Sequence, residues 1–246
     1  VAERLQTGRV FIAGDAAHVM PPTGGFGGNT GVQDVHNLAW KLARVLTAQA
    51  PAALLATYES ERAPVARLAV EQAYTRYVLR TDPSLDPARC EPLVHDLDIE
   101  LGYVYRSGAI VEEGSDAGSA HSSPRESRAR PGSRAPHLWL KRRGQRLSSL
   151  DLYGRRFVLL GGPKAEEWCR CARIAAAEEH VGLDISRPGA DGLEDPDGTL
   201  SELHTIESDG CVLVRPDGFV AWRARNGEGA SVARARAALA RAHGRG

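Results

Sequence analysis

The chain has 246 residues, of which 42% are hydrophobic, and its formal net charge is zero. These values predict one or two domains with apolar cores, and they give no electrostatic reason to expect nucleic acid or an acidic membrane surface as a partner. The four cysteines form no disulfide ladder, and no run is apolar enough for a membrane span or a signal peptide, so we expect a reducing cytoplasm.

A glycine-rich turn at residues 21–31 is the most informative segment of the chain. It follows a short apolar run that ends at Gly14 and Asp15, and it carries four glycines within five positions. Such glycines permit positive φ angles and let the backbone approach a ligand closely. Thr30 and Gln33 have the spacing of a capping box, which predicts a helix that begins here. The N–H groups at the start of that helix would attract anionic or partly negative atoms.

The same region carries a family resemblance. Residues 8–18, the glycine turn and residues 29–34 together resemble the second FAD-binding motif of class A flavoprotein monooxygenases, the aromatic hydroxylases of p-hydroxybenzoate hydroxylase fold. Residues 37–43 and 58–65 continue the resemblance, which is strongest to the hydroxylases of phenols and aromatic polyketides. It implies an α/β (α+β) protein that uses FAD, with NAD(P)H as co-substrate and a small aromatic substrate.

The resemblance also implies which residues contact the flavin. This chain would provide the pyrimidine and ribityl sides of the site, through Asp15, Pro22, Gly24, Gly27, Gly28 and Asn29. Asp15 would hold the ribityl chain, and its alternative role is an N-cap for the turn that follows it. His18 is expected to make a structural hydrogen bond rather than to act as an acid or base. No catalytic residue can be identified from the sequence.

The glycine motif for the FAD pyrophosphate is absent near the start of the chain, where no early strand precedes a Gly-x-Gly-x-x-Gly turn. We therefore expect the C-terminal portion of a larger enzyme, completed by an upstream dinucleotide-binding half and binding FAD weakly without it. The alternative is a non-catalytic flavin-binding, interaction or oligomerisation module, and homo-oligomer formation stays open.

Two long helices are predicted after the glycine turn. The apolar spacing of the first predicts a core-facing stripe, made of Val32, Val35, Leu38, Leu42, Val45 and Leu46. The second opens after Pro51 and should break at Pro64, which lacks an N–H group. These helices complete the FAD-binding part at residues 1–113, and a Gly-, Ser- and Arg-rich stretch at residues 114–136 is predicted to be an exposed linker.

Residues 137–246 have the order of strand, helix, hairpin and closing helix. The strand is predicted at residues 157–160, the helix at 165–179, the hairpin around the turn at 216–218, and the last helix through Val232 and Leu239. This order resembles the thioredoxin-like C-terminal domain of the polyketide-hydroxylase subgroup. That domain is redox-inactive in the resembled enzymes.

Cys169 and Cys171 raise the alternative of a thioredoxin-like thiol oxidoreductase. Redox thioredoxins use Cys-x-x-Cys, whereas one residue separates these cysteines, so their side chains would diverge around a helix by about 200°. This spacing disfavours a dithiol couple. The histidines are scattered and none joins a metal-ligand motif, so no metal site is expected.

Overall fold

The computed structural model describes residues 1–113 and 120–245. In chain order its strands and helices are β1 (Gln6–Thr7), β2 (Val10–Phe11), α1 (Phe26–Leu46), α2 (Ala53–Arg80), α3 (Asp96–Glu100), β3 (Trp139–Arg142), β4 (Gln145–Ser148), β5 (Phe157–Gly161), α4 (Glu166–Glu178), β6 (Leu183–Ser186), β7 (Leu193–Glu194), α5 (Leu200–His204), β8 (Cys211–Val214), β9 (Val220–Ala224) and α6 (Val232–Ala242). Within the described ranges, no helix has the length and apolar character that a membrane crossing requires.

Helix α1 begins earlier than the sequence predicts. Gly24 and Gly25 have φ angles of 73° and 71°, the left-handed region that glycine adopts without steric cost, and they turn the chain directly into a helix at Phe26. The predicted capping box is wrong, because Thr30 is buried inside the helix and no side chain caps its N-terminus. Gly27, Gly28 and Asn29 therefore belong to the first turns of α1 rather than to the loop.

The predicted core-facing stripe of α1 is also partly wrong. Leu38 is buried, but Val32, Val35 and Leu46 are 71%, 57% and 75% exposed. The buried face of the helix is instead largely polar and includes Asp34, Asn37, Lys41 and Arg44. Helix α2 causes this inversion, because it presents opposite charges that pair with the polar residues of α1 inside the protein.

Helix α2 runs without interruption through Pro64, so the predicted break is absent. The proline is exposed, while Val65 and Ala66 beside it are buried. A proline on the outer face removes one backbone hydrogen bond, and the packing of its neighbours keeps the helix in register.

The C-terminal domain is built on a four-stranded sheet with the order β6-β5-β8-β9. Strand β5 pairs parallel with β6 and antiparallel with β8, and β8 and β9 form the predicted hairpin. Alternate residues of β5 and β8 face two separate apolar cores, one shared with α4 and α6 and the other with the three-stranded sheet β4-β3-β7. The predicted strand, helix, hairpin and closing helix are all present in this thioredoxin-like arrangement.

The predicted exposed linker is partly buried. Residues 114–119 lie outside the described ranges, but Ala129, Ser133 and Ala135 are buried. The backbone of residues 132–135 follows β9, because Gly132 donates to Val220 O at 2.8 Å and Ala135 donates to Gly218 O at 2.9 Å. Small residues allow this approach: a Cβ at Gly132 would lie 2.3 Å from the carbonyl oxygen of Tyr105. The domain boundaries at residues 113 and 137 stay predictions.

Candidate cofactor site

The glycine turn opens onto the uncapped N-terminus of α1. A Cβ at Gly24 would lie 2.7 Å from the Phe26 ring, whereas a Cβ at Gly25 or Gly28 would meet no atom within 4 Å. The first N–H groups of an α-helix have no intrahelical acceptor, and no side chain supplies one here. These donors and the positive end of the helix dipole are therefore available to a ligand in the open space beside the glycines.

Asp15 lies on a turn that packs against α1. It belongs to the 3₁₀ turn Gly14–Ala16 and is exposed, and the N-cap of that turn is Ala13, so the alternative role of Asp15 as an N-cap is not observed. The turn packs directly on α1, because a Cβ at Gly31 would lie 3.1 Å from Gly14 Cα. The structure thus places an exposed carboxylate on a turn that packs against the second turn of α1.

The remaining predicted residues belong to the same surface region of the chain. Pro22, Gly24, Gly28 and Asn29 are exposed, Gly27 is half-buried, and the Asn29 side chain donates to Glu100 Oε1 at 2.8 Å. A carboxylate for hydroxyl groups, free N–H donors and glycines without side-chain obstruction together have the chemistry that a flavin requires. Cavities of about 1120 Å³ on the C-terminal domain and about 430 Å³ near His36 and Tyr153 involve none of these residues.

Asp34 of α1 supports the turn that carries Asp15. Its Oδ2 accepts from the backbone N–H of Gly14 at 3.1 Å and lies 2.7 Å from His18 Nε2, and its Oδ1 accepts from Arg62 Nε at 2.8 Å. Because a carboxylate paired with a guanidinium can only accept, Nε2 of His18 carries a proton. His18 is buried and makes the structural hydrogen bond that the sequence predicts.

Glu61, the residue before Arg62 on α2, is the centre of a second buried network. Its carboxylate accepts from Lys41 Nζ at 2.8 Å, and Arg215 of the C-terminal domain forms a bidentate pair with it at 2.6 and 2.9 Å. Asn37 and Ser107 donate to the same carboxylate. Both oxygens of the Glu61 carboxylate are therefore fully hydrogen-bonded to ordered donors.

The pKa values of this network reflect burial and charge together. Burial lowers the pKa of Lys41 to about 8, although the Glu61 carboxylate opposes this change. Burial would raise the pKa of Glu61, but the charges of Arg215 and Lys41 outweigh it and hold that pKa well below its usual range. Glu61 is therefore an anion at neutral pH.

Sequence reasoning missed the residues of both networks, namely Asp34, Lys41, Glu61, Arg62, Arg215 and Asp217. A signal was present, since Asp34, Asn37, Lys41 and Arg44 recur at helical spacing on one face of α1. Glu61 and Arg62 on the next helix carry the charges opposite to those of Lys41 and Asp34.

The cysteine arrangement disfavours thiol chemistry. Cys169 and Cys171 lie inside α4 and are buried free thiols. Burial raises the pKa of both thiols, which lowers the fraction of reactive thiolate.

Comparison with known proteins defines the class. Residues 1–73 match the family described as FAD binding domain, and residues 128–246 match the family described as aromatic-ring hydroxylase, C-terminal. The chain is similar to a solved ternary complex of aklavinone-11 hydroxylase with FAD and aklavinone, with a TM-score of 0.91 and 42% identity over 99% of this chain and 45% of that one.

Curated relatives agree with the structural match. The chain is 47% identical over 230 residues to 4-methyl-5-nitrocatechol 5-monooxygenase from Burkholderia sp, which covers 92% of this chain and 42% of that protein. It is 44% identical to aklavinone 12-hydroxylase from Streptomyces purpurascens, over 91% of this chain and 41% of that protein. The chain belongs to the class A FAD-dependent aromatic hydroxylases and corresponds to a C-terminal portion of them. It spans less than half the length of these relatives.

Proposed function

We propose that this chain forms the flavin-holding C-terminal portion of a monooxygenase that uses FAD, NAD(P)H and O₂ to hydroxylate a small aromatic substrate. The observation that carries the proposal is the uncapped N-terminus of α1 beside the exposed carboxylate of Asp15, both fixed on a buried ionic frame. Relatives whose names specify a 4-methyl-5-nitrocatechol monooxygenase and an aklavinone hydroxylase support it.

The residues of this chain hold and polarise the cofactor. Bound FAD would supply the reduction by NAD(P)H and the activation of O₂, chemistry that protein side chains lack. Asp15 would accept hydrogen bonds from the ribityl hydroxyls. The N–H groups of Gly28 and Asn29 would face flavin N1 and the C2 carbonyl, where negative charge collects on reduction. Pro22, Gly24 and Gly27 would shape the backbone so that it reaches the ring without obstruction.

The relatives are longer than the part that this chain matches, and the partner we propose is a dinucleotide-binding half that corresponds to the remaining length. Helix α1 offers a surface for it, because Val32, Val35 and Leu46 form an exposed apolar stripe on the face opposite its buried charges. Large exposed apolar surface next to a binding site is typical of a protein interface. The free cysteines are consistent with a cytoplasmic location for the assembly.

FAD titration followed by flavin fluorescence tests this proposal. The isolated chain should bind FAD weakly or not at all, and the separately expressed N-terminal half of the Burkholderia relative should restore stoichiometric binding. Gly24→Val should abolish the restored binding, since the side chain would meet the Phe26 ring and strain a left-handed position.

The same titration separates the rival functions. Tight FAD binding by the chain alone would contradict the need for an upstream half. Association of the two halves without any bound flavin would favour the non-catalytic interaction module, for which the exposed stripe on α1 is the supporting observation.

A further inference from the structure

The turn between β8 and β9 joins the C-terminal domain to the helices of the flavin-binding part. Arg215 and Asp217 in this turn are buried and ion-paired to each other. Arg215 donates two hydrogen bonds to the carboxylate of Glu61 on α2, and Asp217 accepts one from Trp40 Nε1 of α1 at 3.0 Å. One turn of the C-terminal domain thus fixes both helices at once.

The neighbouring residue on α2 connects this junction to the turn Gly14–Ala16 that carries Asp15, the flavin turn of the proposal. Arg62 donates to Asp34 Oδ1, and the other oxygen of Asp34 holds Gly14 N–H and His18. Successive residues of a helix point about 100° apart, so Glu61 and Arg62 reach two different partners from one rigid segment. The rotation of α2 about its axis that satisfies Arg215 is therefore the rotation that places Arg62 against Asp34.

We propose that Arg215 is a positioning residue for the flavin turn: it holds the turn Gly14–Ala16, and with it Asp15, through Glu61, Arg62 and Asp34. The thioredoxin-like domain then has a role in the cofactor site without contributing a residue to it. The mechanical link is a property of the chain itself, and its effect on flavin rests on the proposed function. A lysine at position 215 keeps the charge but loses the two-pronged geometry, so the constraint that the C-terminal domain places on the rotation of α2 would weaken, while Lys41 and Asn37 of α1 still bind Glu61.

Hydrogen–deuterium exchange of the isolated chain tests the mechanical link without FAD. In Arg215→Lys, the amides of residues 14–18 should exchange on the order of tenfold faster, which is about 1.4 kcal/mol of local opening free energy. The matched control is Arg223→Lys. Arg223 is also a buried arginine of the C-terminal domain and pairs with Glu113, but its hydrogen bonds to Glu113 and to the carbonyl oxygens of Arg128 and His204 all lie outside α1 and α2.

The control decides between positioning and general destabilisation. Global stability of both variants is measured by urea unfolding, and exchange is compared at equal stability. Faster amide exchange at residues 14–18 in Arg215→Lys alone supports the link. An equal increase in both variants, or no increase in Arg215→Lys, overturns it. If Arg215→Lys does not fold, Asp217→Asn takes its place, since it loosens the hold on Arg215 while keeping an oxygen for Trp40.

Flavin measurements in the assembly of both halves complete the test. Arg215→Lys should weaken FAD binding by about tenfold and shift the visible circular dichroism of the bound flavin, and Arg223→Lys should change neither. Normal FAD binding and an unchanged spectrum in Arg215→Lys would overturn the effect on flavin. If the wild-type assembly binds no FAD while exchange still responds to Arg215, the proposed function fails and the link within the chain stands.

Discussion

The C-terminal domain and the helical pair α1 and α2 are held together by different interactions. Strands β5 and β8 bury every side chain, and alternate residues fill an apolar core on each face of the sheet. Between α1 and α2, in contrast, the fully buried residues include Asp34, Lys41, Glu61 and Arg62. One region excludes water with hydrocarbon, and the other contains an ionic network.

The two kinds of interior differ in how strictly they fix the geometry of the elements they join. Apolar cores tolerate volume-conserving changes, because the hydrophobic effect has no direction. A buried ion pair adds little net stability, since its charges lose their hydration, but the removal of one partner is costly. The ionic network therefore fixes the relative position of α1 and α2, next to the flavin turn, more than it contributes to folding.

The largest expected effect is the loss of the Glu61 charge. Glu61→Gln would turn an amide N–H₂ toward Lys41 or Arg215 and leave their charges uncompensated, so the free energy of unfolding should fall by about 3–5 kcal/mol. Urea denaturation measures this. Glu166→Gln removes the exposed partner of Arg187 and should cost no more than about 1 kcal/mol. Similar losses in both variants would remove the distinction between the two regions.

The C-terminal domain has its own buried titratable group, His204. Burial lowers its pKa from 6.5 to about 4, so the unfolded chain takes up the proton first as the pH falls. The stability from neutral His204 is fully present above pH 6.5 and lost by pH 4, a decrease of about 3 kcal/mol. In His204→Asn, which keeps a donor for Leu200 O, thermal melts from pH 7 to 4 should show a shallower decline. An equally steep decrease in the melting temperature of His204→Asn would mean that other groups cause the acid sensitivity.

The smallest effects concern two glycines, Gly24 of the glycine turn and Gly28 of α1. Gly24 has a φ angle of 73°, and Gly24→Ala should cost about 1–2 kcal/mol of stability. Gly28 lies in helix α1 with open space at its Cβ position, so Gly28→Ala should add about 0.5–1 kcal/mol. Chemical denaturation of the two variants checks the opposite signs. A destabilising Gly28→Ala would mean that this position requires glycine for its backbone.

The thioredoxin-like domain could be predicted well from the sequence because its signals are local. Continuous apolar strands, an alanine-rich helix and the turn at residues 216–218 each have a periodicity or composition that specifies the element. The burial within residues 129–135 could not be predicted, because it depends on backbone pairing with residues 218–220. A run of small and polar residues carries no pattern that indicates such pairing.

For the site, the sequence yields a prediction of the ligand-facing residues, the glycine turn and Asp15, and these stay predictions. The start of α1 is predicted too late because Thr30 and Gln33 imitate a cap. The supporting residues were missed because their burial is a property of pairs. Lys41 and Glu61 are each typical of a surface, and only their contact across two helices makes an interior position favourable.

The pairing of residues 132–135 with residues 218–220 also reduces the unpaired backbone at one edge of the four-stranded sheet. Together with Val111, whose N–H bonds to Ala221 O, this segment covers the first two residues of β9 at one edge of the four-stranded sheet. Strand β6 forms the other edge and pairs only with β5 among the described strands. Its Asp184 is paired with Arg156 and both are half-exposed, which places charge on the open edge. Charged edge strands resist pairing with another sheet, so each edge of this four-stranded sheet has a feature that opposes edge-to-edge aggregation.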